Sequence, residues 1–187
     1  MKSPFNFLVK PLDGKRYNNT TKVGDKEVYL TTSFEDARST QRHAVVVSTP
    51  IGYEGNIKPG AVVLVHHNTF RKLISMSGDI KSTASHIFEN LFMVSPDHVF
   101  LYKNESDKDW AAEDNFVFVR PIDNKSKYSQ KKHEKLWGEV VYSNDSLSKL
   151  GVNKGDVICH EPECEYEFDV DGEVLYRMFT RNICLKK

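Results

Sequence analysis

The chain has 187 residues, and its 26 basic and 26 acidic residues give a formal net charge of zero. A balanced charge provides no long-range field for a polyanion, so the composition argues against nucleic acid as a partner. No apolar run approaches the roughly 20 residues that cross a bilayer, and the N-terminal segment lacks the apolar core of a secretory signal. These features predict a soluble, cytoplasmic protein with no membrane partner.

The first half of the chain contains short segments that are rich in valine, isoleucine and aromatic residues and bounded by Gly, Pro, Asn or Asp. This pattern predicts β-strands. The segment at 86–94 has some features of a helical turn, but its place before the last strand favours a strand. In chain order the segments are LVKPLD (8–13), AVVVS (44–48), VVLV (62–65), HIFENLFMV (86–94) and HVFLYK (98–103).

Similar segments recur in the same order in the second half of the chain. LVKPLD matches FVRPID, AVVVS matches EVVYS, IKPGAVVLVHH matches VNKGDVICHEP, and HVFLYK matches NICLKK. Such a repeat indicates two homologous modules. In this alignment position 8 corresponds to 118, 44 to 139, 57 to 152 and 98 to 182.

The repeat predicts a first module at 1–103, a polar linker at 104–114 and a second module at 115–187. The first module is longer before its AVVVS strand and again near 68–90, where the sequence does not indicate a role. Four or five short antiparallel strands in each module predict a small barrel, because closure removes exposed sheet edges. The predicted fold is therefore all-β, with two tandem small antiparallel β-barrels.

Both modules resemble the GroES co-chaperonin family. Residues 150–185 are similar to the C-terminal half of that family, in which an apolar-x-x-Gly-Asp-x-apolar strand and a polar loop precede a Gly-Glu-Val-Leu strand. Residues 8–17 and 28–47 resemble its opening strand and its mobile loop. The first module departs from the family at His43, which stands where the family has glycine, and at Ala61, which stands where it has aspartate.

The resemblance implies a mobile loop at about 14–42 whose apolar tripeptide, Val28, Tyr29 and Leu30, binds the apical domains of a GroEL-type chaperonin. It also implies a homo-oligomeric ring that caps this ATP-dependent partner and acts indirectly on an unfolded client protein. Such a protein is not an enzyme and needs no cofactor, because its partner binds the ATP. Taken without the family, KEVYL is typical of an ordinary strand. The second module has a shorter, basic loop at 124–135.

A different class of function stays open at this point. A virion component or another structural protein could reuse the same barrels without binding a chaperonin. The short connection after the AVVVS strand is a feature that we associate with co-chaperonins encoded by bacteriophages, which would place the protein in the host cytoplasm.

The sequence predicts no catalytic residue and no metal site. It contains no nucleophile elbow and no phosphate-binding glycine motif. Cys159, His160 and Cys164 lie close together, but their spacing is not that of a zinc ribbon. We expect Cys159 to pack inward as a small apolar residue, His160 to face solvent or a neighbouring subunit, and Cys184 to pack in the barrel or at an edge. The three cysteines lack framework spacing, which favours a reducing compartment.

Overall fold

The computed structural model of the protein describes residues 1–29, 39–123 and 133–187. The chain forms two compact units, Met1–Lys108 and Asp109–Lys187, and the boundary between them lies inside the predicted linker. The fold is all-β, and its strands pair in antiparallel sheets. Within the described ranges, no helix is long and apolar enough to cross a membrane.

The first unit contains ten strands among its described residues. Short 3₁₀ turns at Leu12–Gly14, His67–Thr69 and Pro96–His98 connect some of them. The strands are β1 (Phe7–Pro11), β2 (Thr20–Val23), β3 (Lys26–Tyr29), β4 (His43–Ser48), β5 (Val62–Val65), β6 (Lys72–Ile74), β7 (Ile80–Ser82), β8 (His86–Phe88), β9 (Leu91–Val94) and β10 (Val99–Lys103).

The second unit contains seven strands and one short helix among its described residues. A 3₁₀ turn, Thr180–Asn182, precedes the last strand. The elements are β11 (Ala111–Ala112), β12 (Phe116–Asp123), β13 (His133–Tyr142), α1 (Asp145–Lys149), β14 (Val157–His160), β15 (Tyr166–Val170), β16 (Glu173–Phe179) and β17 (Ile183–Lys186).

The main sheets of the two units have the same strand order. The order is β10-β5-β4-β1-β9-β8 in the first unit and β17-β14-β13-β12-β16-β15 in the second. The registers correspond as well, since Leu8 pairs with Ser48 and Phe118 pairs with Tyr142. In both pairs the register then shifts by one residue, which places a bulge at the same point of each sheet.

The register corrects the sequence alignment at the valine-rich strand. Val46 and Val140 occupy the same place, because each follows the bulge and its N–H group bonds the carbonyl at the start of the next strand. Ala44 therefore corresponds to Gly138 and not to Glu139. The alignment from sequence is displaced by one residue at this strand, although it is correct for β5 and β14.

Small residues occupy this position in both units. Ala44 pairs with Pro11, and Gly138 pairs with Pro121. A Cβ atom added at Gly138 would lie 3.0 Å from the Cγ2 atom of Val119. Contacts at that distance are repulsive, so strand β13 approaches β12 closely here because no side chain intervenes. The family glycine thus has a small counterpart in the first unit, Ala44.

The turn before the central strand is also shared. Gly60 has a φ of 91° and Gly155 a φ of 90°, a backbone conformation that other residues rarely adopt. Each donates a hydrogen bond from its N–H group to the carbonyl of the bulge-proximal valine, Val46 or Val140, at 2.8 and 2.7 Å. The two glycines thereby place the following strands, β5 and β14, at equivalent registers in the two sheets.

One hydrophobic cluster of the second unit's core includes Leu147 of helix α1, while Phe118, Phe168 and Leu175 are buried outside this cluster. Asn144, only 6% exposed, closes this core beside helix α1. Its side chain accepts a hydrogen bond from the N–H group of Leu147 at 2.8 Å and donates to the carbonyls of Asp114 and Phe116, also at 2.8 Å. The residues of this cluster are Val117, Val119, Val140, Leu147, Val152, Ile158 and Met178.

Three features bear on the prediction of two similar closed barrels joined by a polar linker. The extra length of the first unit near 68–90 contains a separate hairpin, β6–β7, on which Ile74 and Ile80 are exposed. Trp110, inside the predicted linker, is buried and donates from its indole nitrogen to Asp171 at 2.8 Å. Among the described residues, no hydrogen bonds join the end strands of either sheet to each other, so closed barrels remain a prediction.

Candidate docking arm

The long connection between β1 and β4 leaves the first unit at a narrow base. Tyr17 and Thr40 form an isolated antiparallel bridge. Next to it, the N–H group of Asn18 donates to the carbonyl of Ser39 at 2.7 Å. We call residues 18–39 the arm, because the bridge between Tyr17 and Thr40 joins the two ends of this segment.

Paired amides lock the base of the arm. The side chains of Asn18 and Gln41 exchange two hydrogen bonds, of 3.1 and 3.2 Å. Gln41 is buried, and its carbonyl oxygen also accepts from the N–H groups of Arg42 and His43. Since a buried amide needs its full set of partners, these bonds keep the two ends of the arm together.

Arg16 and Tyr17 fasten this base to the rest of the first unit. The Arg16 guanidinium donates to the carbonyls of Phe70 at 2.8 Å and Arg71 at 3.1 Å. The Tyr17 hydroxyl accepts from the N–H group of Lys72 at 2.6 Å. Burial lowers the pKa of Arg16, against a smaller opposing effect of Tyr17. These contacts give the arm a rigid point of attachment.

Beyond the base, the chain forms a two-stranded hairpin from β2 and β3. A turn at Gly24 and Asp25 joins the strands, and Thr21 lies opposite Val28. Among the described residues, neither strand pairs with the main sheet. An isolated two-stranded hairpin is marginally stable in water, so the arm gains little from its own pairing and is able to change shape on binding.

The described part of the predicted tripeptide, Val28 and Tyr29, lies at the end of this hairpin nearest the base, away from the turn at Gly24 and Asp25. Val28 lies on β3 and is 45% exposed. The backbone of Tyr29 belongs to the same strand, opposite Thr20. Leu30 lies outside the described residues. Lys26–Tyr29 is therefore a strand, but it pairs with β2 in the arm and, among the described residues, not with the main sheet, whereas KEVYL taken without the family predicted a strand of the barrel.

Val23 is a further exposed apolar residue of the arm, and it is absent from the predicted site. It lies two residues from Thr21 on β2, so it shares a face of the hairpin with Val28. Its exposure is 63%. Gly-Asp between two alternating runs is a hairpin signal that could have identified it. Two exposed valines on one face form an apolar strip that a groove on another protein could cover.

The second unit lacks a described counterpart of this arm. The backbone pairing of β12 and β13 continues to Asp123 and His133. Most of the basic loop predicted at 124–135, namely 124–132, lies outside the described residues. The two paired strands leave only this short connection where the first unit has residues 18–39.

Two expectations about the cysteine-containing region were wrong. His160 is buried, and Cys159 is half-buried, so the inward residue of β14 is the histidine. Alternation along the strand explains the exchange, because His160 shares a face with the buried Ile158. For Cys184, expected in the barrel or at an edge, the structure contradicts only the first alternative, because this residue is exposed on the edge strand β17.

Comparisons with known proteins identify no relative of this chain. It matches no protein-family model, no curated protein and no solved structure. The arm and its attachment to the first unit are therefore the features from which a function is inferred.

Proposed function

We propose that this protein is a non-enzymatic co-chaperonin whose arm docks on a GroEL-type chaperonin and caps its folding chamber. The single observation that carries the proposal is the arm: a hairpin clamped at its base, paired with no other strand among the described residues, and presenting apolar side chains outward. Val28, Tyr29 and Leu30 are the proposed contact residues, and Val23 adds to the same surface.

The energetics of the arm suit weak and reversible binding. Fully burying a valine contributes about 1.5–3 kcal/mol, so covering the exposed part of Val28 and Val23 contributes roughly 1 kcal/mol each. Ordering the arm costs part of this gain. One arm alone therefore binds weakly, and useful affinity requires several arms that act together on one partner.

A ring supplies the required multiplicity. Once one arm is bound, the other arms of a homo-oligomer bind at high effective concentration, and avidity exceeds single-arm affinity by orders of magnitude. Each chain carries two units with the same strand order, and among the described residues only the first unit has an arm. We therefore propose a ring of closed GroES-like barrels in which arms occur once per chain. ATP hydrolysis belongs to the chaperonin, and the proposed compartment is the cytoplasm, or the host cytoplasm if the source is a bacteriophage.

Capture on an immobilised bacterial chaperonin with ATP tests this function. We expect the wild-type chain to be captured, and a variant with Val28, Tyr29 and Leu30 all changed to Ser to be captured at least about tenfold less, since avidity multiplies each loss. The matched control is Val174→Ser, because Val174 is also an exposed strand valine, at 47%, but lies in the second unit. Capture of this control should equal that of the wild type.

Two results would contradict the proposal. Undiminished capture of the triple variant would show that the arm is not the contact. Absence of capture for the wild-type chain with ATP present would favour the structural role of a virion or scaffold protein instead.

A further inference from the structure

At equivalent positions of the two sheets, the first unit has a buried valine and the second unit has a buried histidine. Val65 of β5 pairs with Val99, and His160 of β14 pairs with Ile183 at the corresponding place in the sheet. Val65 is fully buried and His160 is 4% exposed. An imidazole in an apolar position lowers stability unless polar groups surround it. The same fold accepts valine here, so the histidine is not needed to build the sheet.

Polar groups do surround this histidine, and they are metal ligands. The Nδ1 atom of His160 lies 3.6 Å from the Sγ atom of Cys164 and 3.7 Å from a carboxylate oxygen of Glu165. The ligand atoms of all three residues lie within 4.8 Å of one another. Among the described residues, this is the one such group of histidine, cysteine and acidic side chains.

The two separations from the Nδ1 atom of His160 are close to the edges of a coordination tetrahedron, and the sulfur-to-oxygen separation lies within 4.8 Å. Metal distances of about 2.1 Å for nitrogen and 2.3 Å for sulfur place the two ligand atoms roughly 3.6 Å apart at a tetrahedral angle. The nitrogen-to-oxygen edge is roughly 3.4 Å by the same geometry. Glu165 is partly exposed, so rotation of its side chain can shorten the nitrogen-to-oxygen separation from 3.7 Å to this value. Little rearrangement is needed to place an ion between the three groups.

The surroundings hold the site together without an ion. The Nδ1 atom of His160 and the Sγ atom of Cys164 both bond the carbonyl of Glu161, at 2.9 and 3.1 Å. Cys164 also packs against the core of the second unit. Burial raises the pKa of Cys164 to about 11, and the negative charge of Glu165 adds to this effect. The resting thiol is thus protonated, and its proton points at the same carbonyl as the imidazole.

We propose that His160, Cys164 and Glu165 form a binding site for one borderline transition-metal cation of the Zn²⁺ class. One nitrogen, one sulfur and one oxygen donor suit Zn²⁺, whereas Ca²⁺ and Mg²⁺ require oxygen ligands. Three protein ligands leave a fourth position for water or for a group on a partner. The site lies in the second unit, on the connection that follows β14.

Metal binding exchanges the thiol proton for a bond to the cation. The thiol of Cys164 loses its proton to solvent, and the thiolate sulfur donates an electron pair to the cation. The Nδ1 atom of His160, which carries the imidazole proton while it donates to the Glu161 carbonyl, releases that proton to solvent, Nε2 takes one proton from solvent, and Nδ1 then donates its lone pair to the cation. The bonds to the Glu161 carbonyl are given up, and no oxidation or reduction takes place.

Cobalt substitution tests the site with the full-length, reduced and metal-stripped chain. Titration with Co²⁺ should produce a thiolate-to-cobalt charge-transfer band that saturates at one equivalent, and added Zn²⁺ should abolish the band. Cys164→Ser should remove the band and weaken Zn²⁺ binding at least about 100-fold, since a lost ligand costs more than a lost outer partner. His160→Val should bind Zn²⁺ equally poorly yet fold, because valine occupies this position in the first unit.

Matched controls separate this site from other thiols. Cys159→Ser and Cys184→Ser alter the other two cysteines and should keep the band. Absence of a band in the wild-type chain would overturn the proposal, as would a band that survives in Cys164→Ser or disappears in Cys159→Ser or Cys184→Ser. Chaperonin capture is not part of this experiment, so its result stands apart from the proposed function.

Discussion

Replacing Gly138 with alanine tests the close approach of β13 to β12. The added Cβ would lie 3.0 Å from Val119 Cγ2, 3.1 Å from Val119 Cβ and 3.2 Å from the carbonyl oxygen of Arg120. Relief therefore requires movement of the strand itself and not only of a flexible side-chain end. Val119 is fully buried, which leaves it little space to move.

The expected loss results from two opposing effects. Overpacking a core contact costs about 1–3 kcal/mol. Replacing glycine by alanine returns about 0.4–1 kcal/mol, because the unfolded chain loses freedom. We expect Gly138→Ala to lower the free energy of unfolding by about 1–2 kcal/mol, which corresponds to a fall in Tm of roughly 5–15 °C for a unit of this size.

Tryptophan fluorescence measures this change in the correct unit. The chain contains two tryptophans, Trp110 and Trp137, and both lie in the second unit. The urea midpoint of the fluorescence transition therefore reports its unfolding. The midpoint is compared and not the signal amplitude, because Trp137 is next to the substituted residue.

A second substitution identifies the cause. In a Val119→Ala background the contact with Cγ2 is gone while those with the Cβ of residue 119 and the Arg120 carbonyl remain, so adding Gly138→Ala should cost at least about 0.5 kcal/mol less than in the wild type, a coupling typical of residues in contact. A midpoint for Gly138→Ala at or above that of the wild type would refute the reasoning. So would an undiminished cost in the Val119→Ala background.

Two further predictions concern the second unit. Asn144→Ala removes the cap of α1 and two buried bonds, and should lower the free energy of unfolding by about 2–3 kcal/mol in urea titrations. Asn144→Asp keeps the cap acceptor but places a buried carboxylate oxygen against the carbonyls of Asp114 and Phe116, so it should lose at least as much, and a smaller loss would contradict the role of the two donor bonds. Burial, and then the negative charge of Asp109, raises the pKa of Tyr142 to about 12 from 10.0. The folded chain then holds this proton longer than the unfolded chain, so stability should fall between pH 10 and 12. Urea midpoints against pH should show a shallower fall in Tyr142→Phe, and identical slopes would exclude this origin.

The strands of the main sheets were predictable from sequence because their patterns are local. Runs rich in valine and aromatic residues predicted β1, β4, β5, β9 and β10 at nearly their observed positions. The register was less predictable at the valine-rich strand. Three successive valines, at 45–47, allow a slip of one residue without changing the apparent match, and only pairing across the sheet removes the ambiguity.

The inward residue of β14 could not be chosen correctly from residue type. Cysteine is a frequent core residue and histidine is not, which favoured Cys159 over His160. Side chains alternate between the two faces of a strand, and Ile158 points inward, so His160 points inward as well and Cys159 does not. Glu165 carries no signal in the sequence, because it joins the other two residues only after the chain turns at the end of β14.

The contrast between the two units indicates where function resides. Their main sheets agree in strand order and, apart from the pairs β8–β9 and β15–β16, in register, so the pairing of these strands does not account for a different task in each unit. The differences lie in the connections: residues 18–39 leave the first sheet, and residues 161–165 fold over His160 in the second. Loops tolerate change that a paired sheet does not. A docking role for the first unit and a cation site in the second therefore require no change in strand order, and the cation site requires only one exchanged strand residue, His160 in place of Val65.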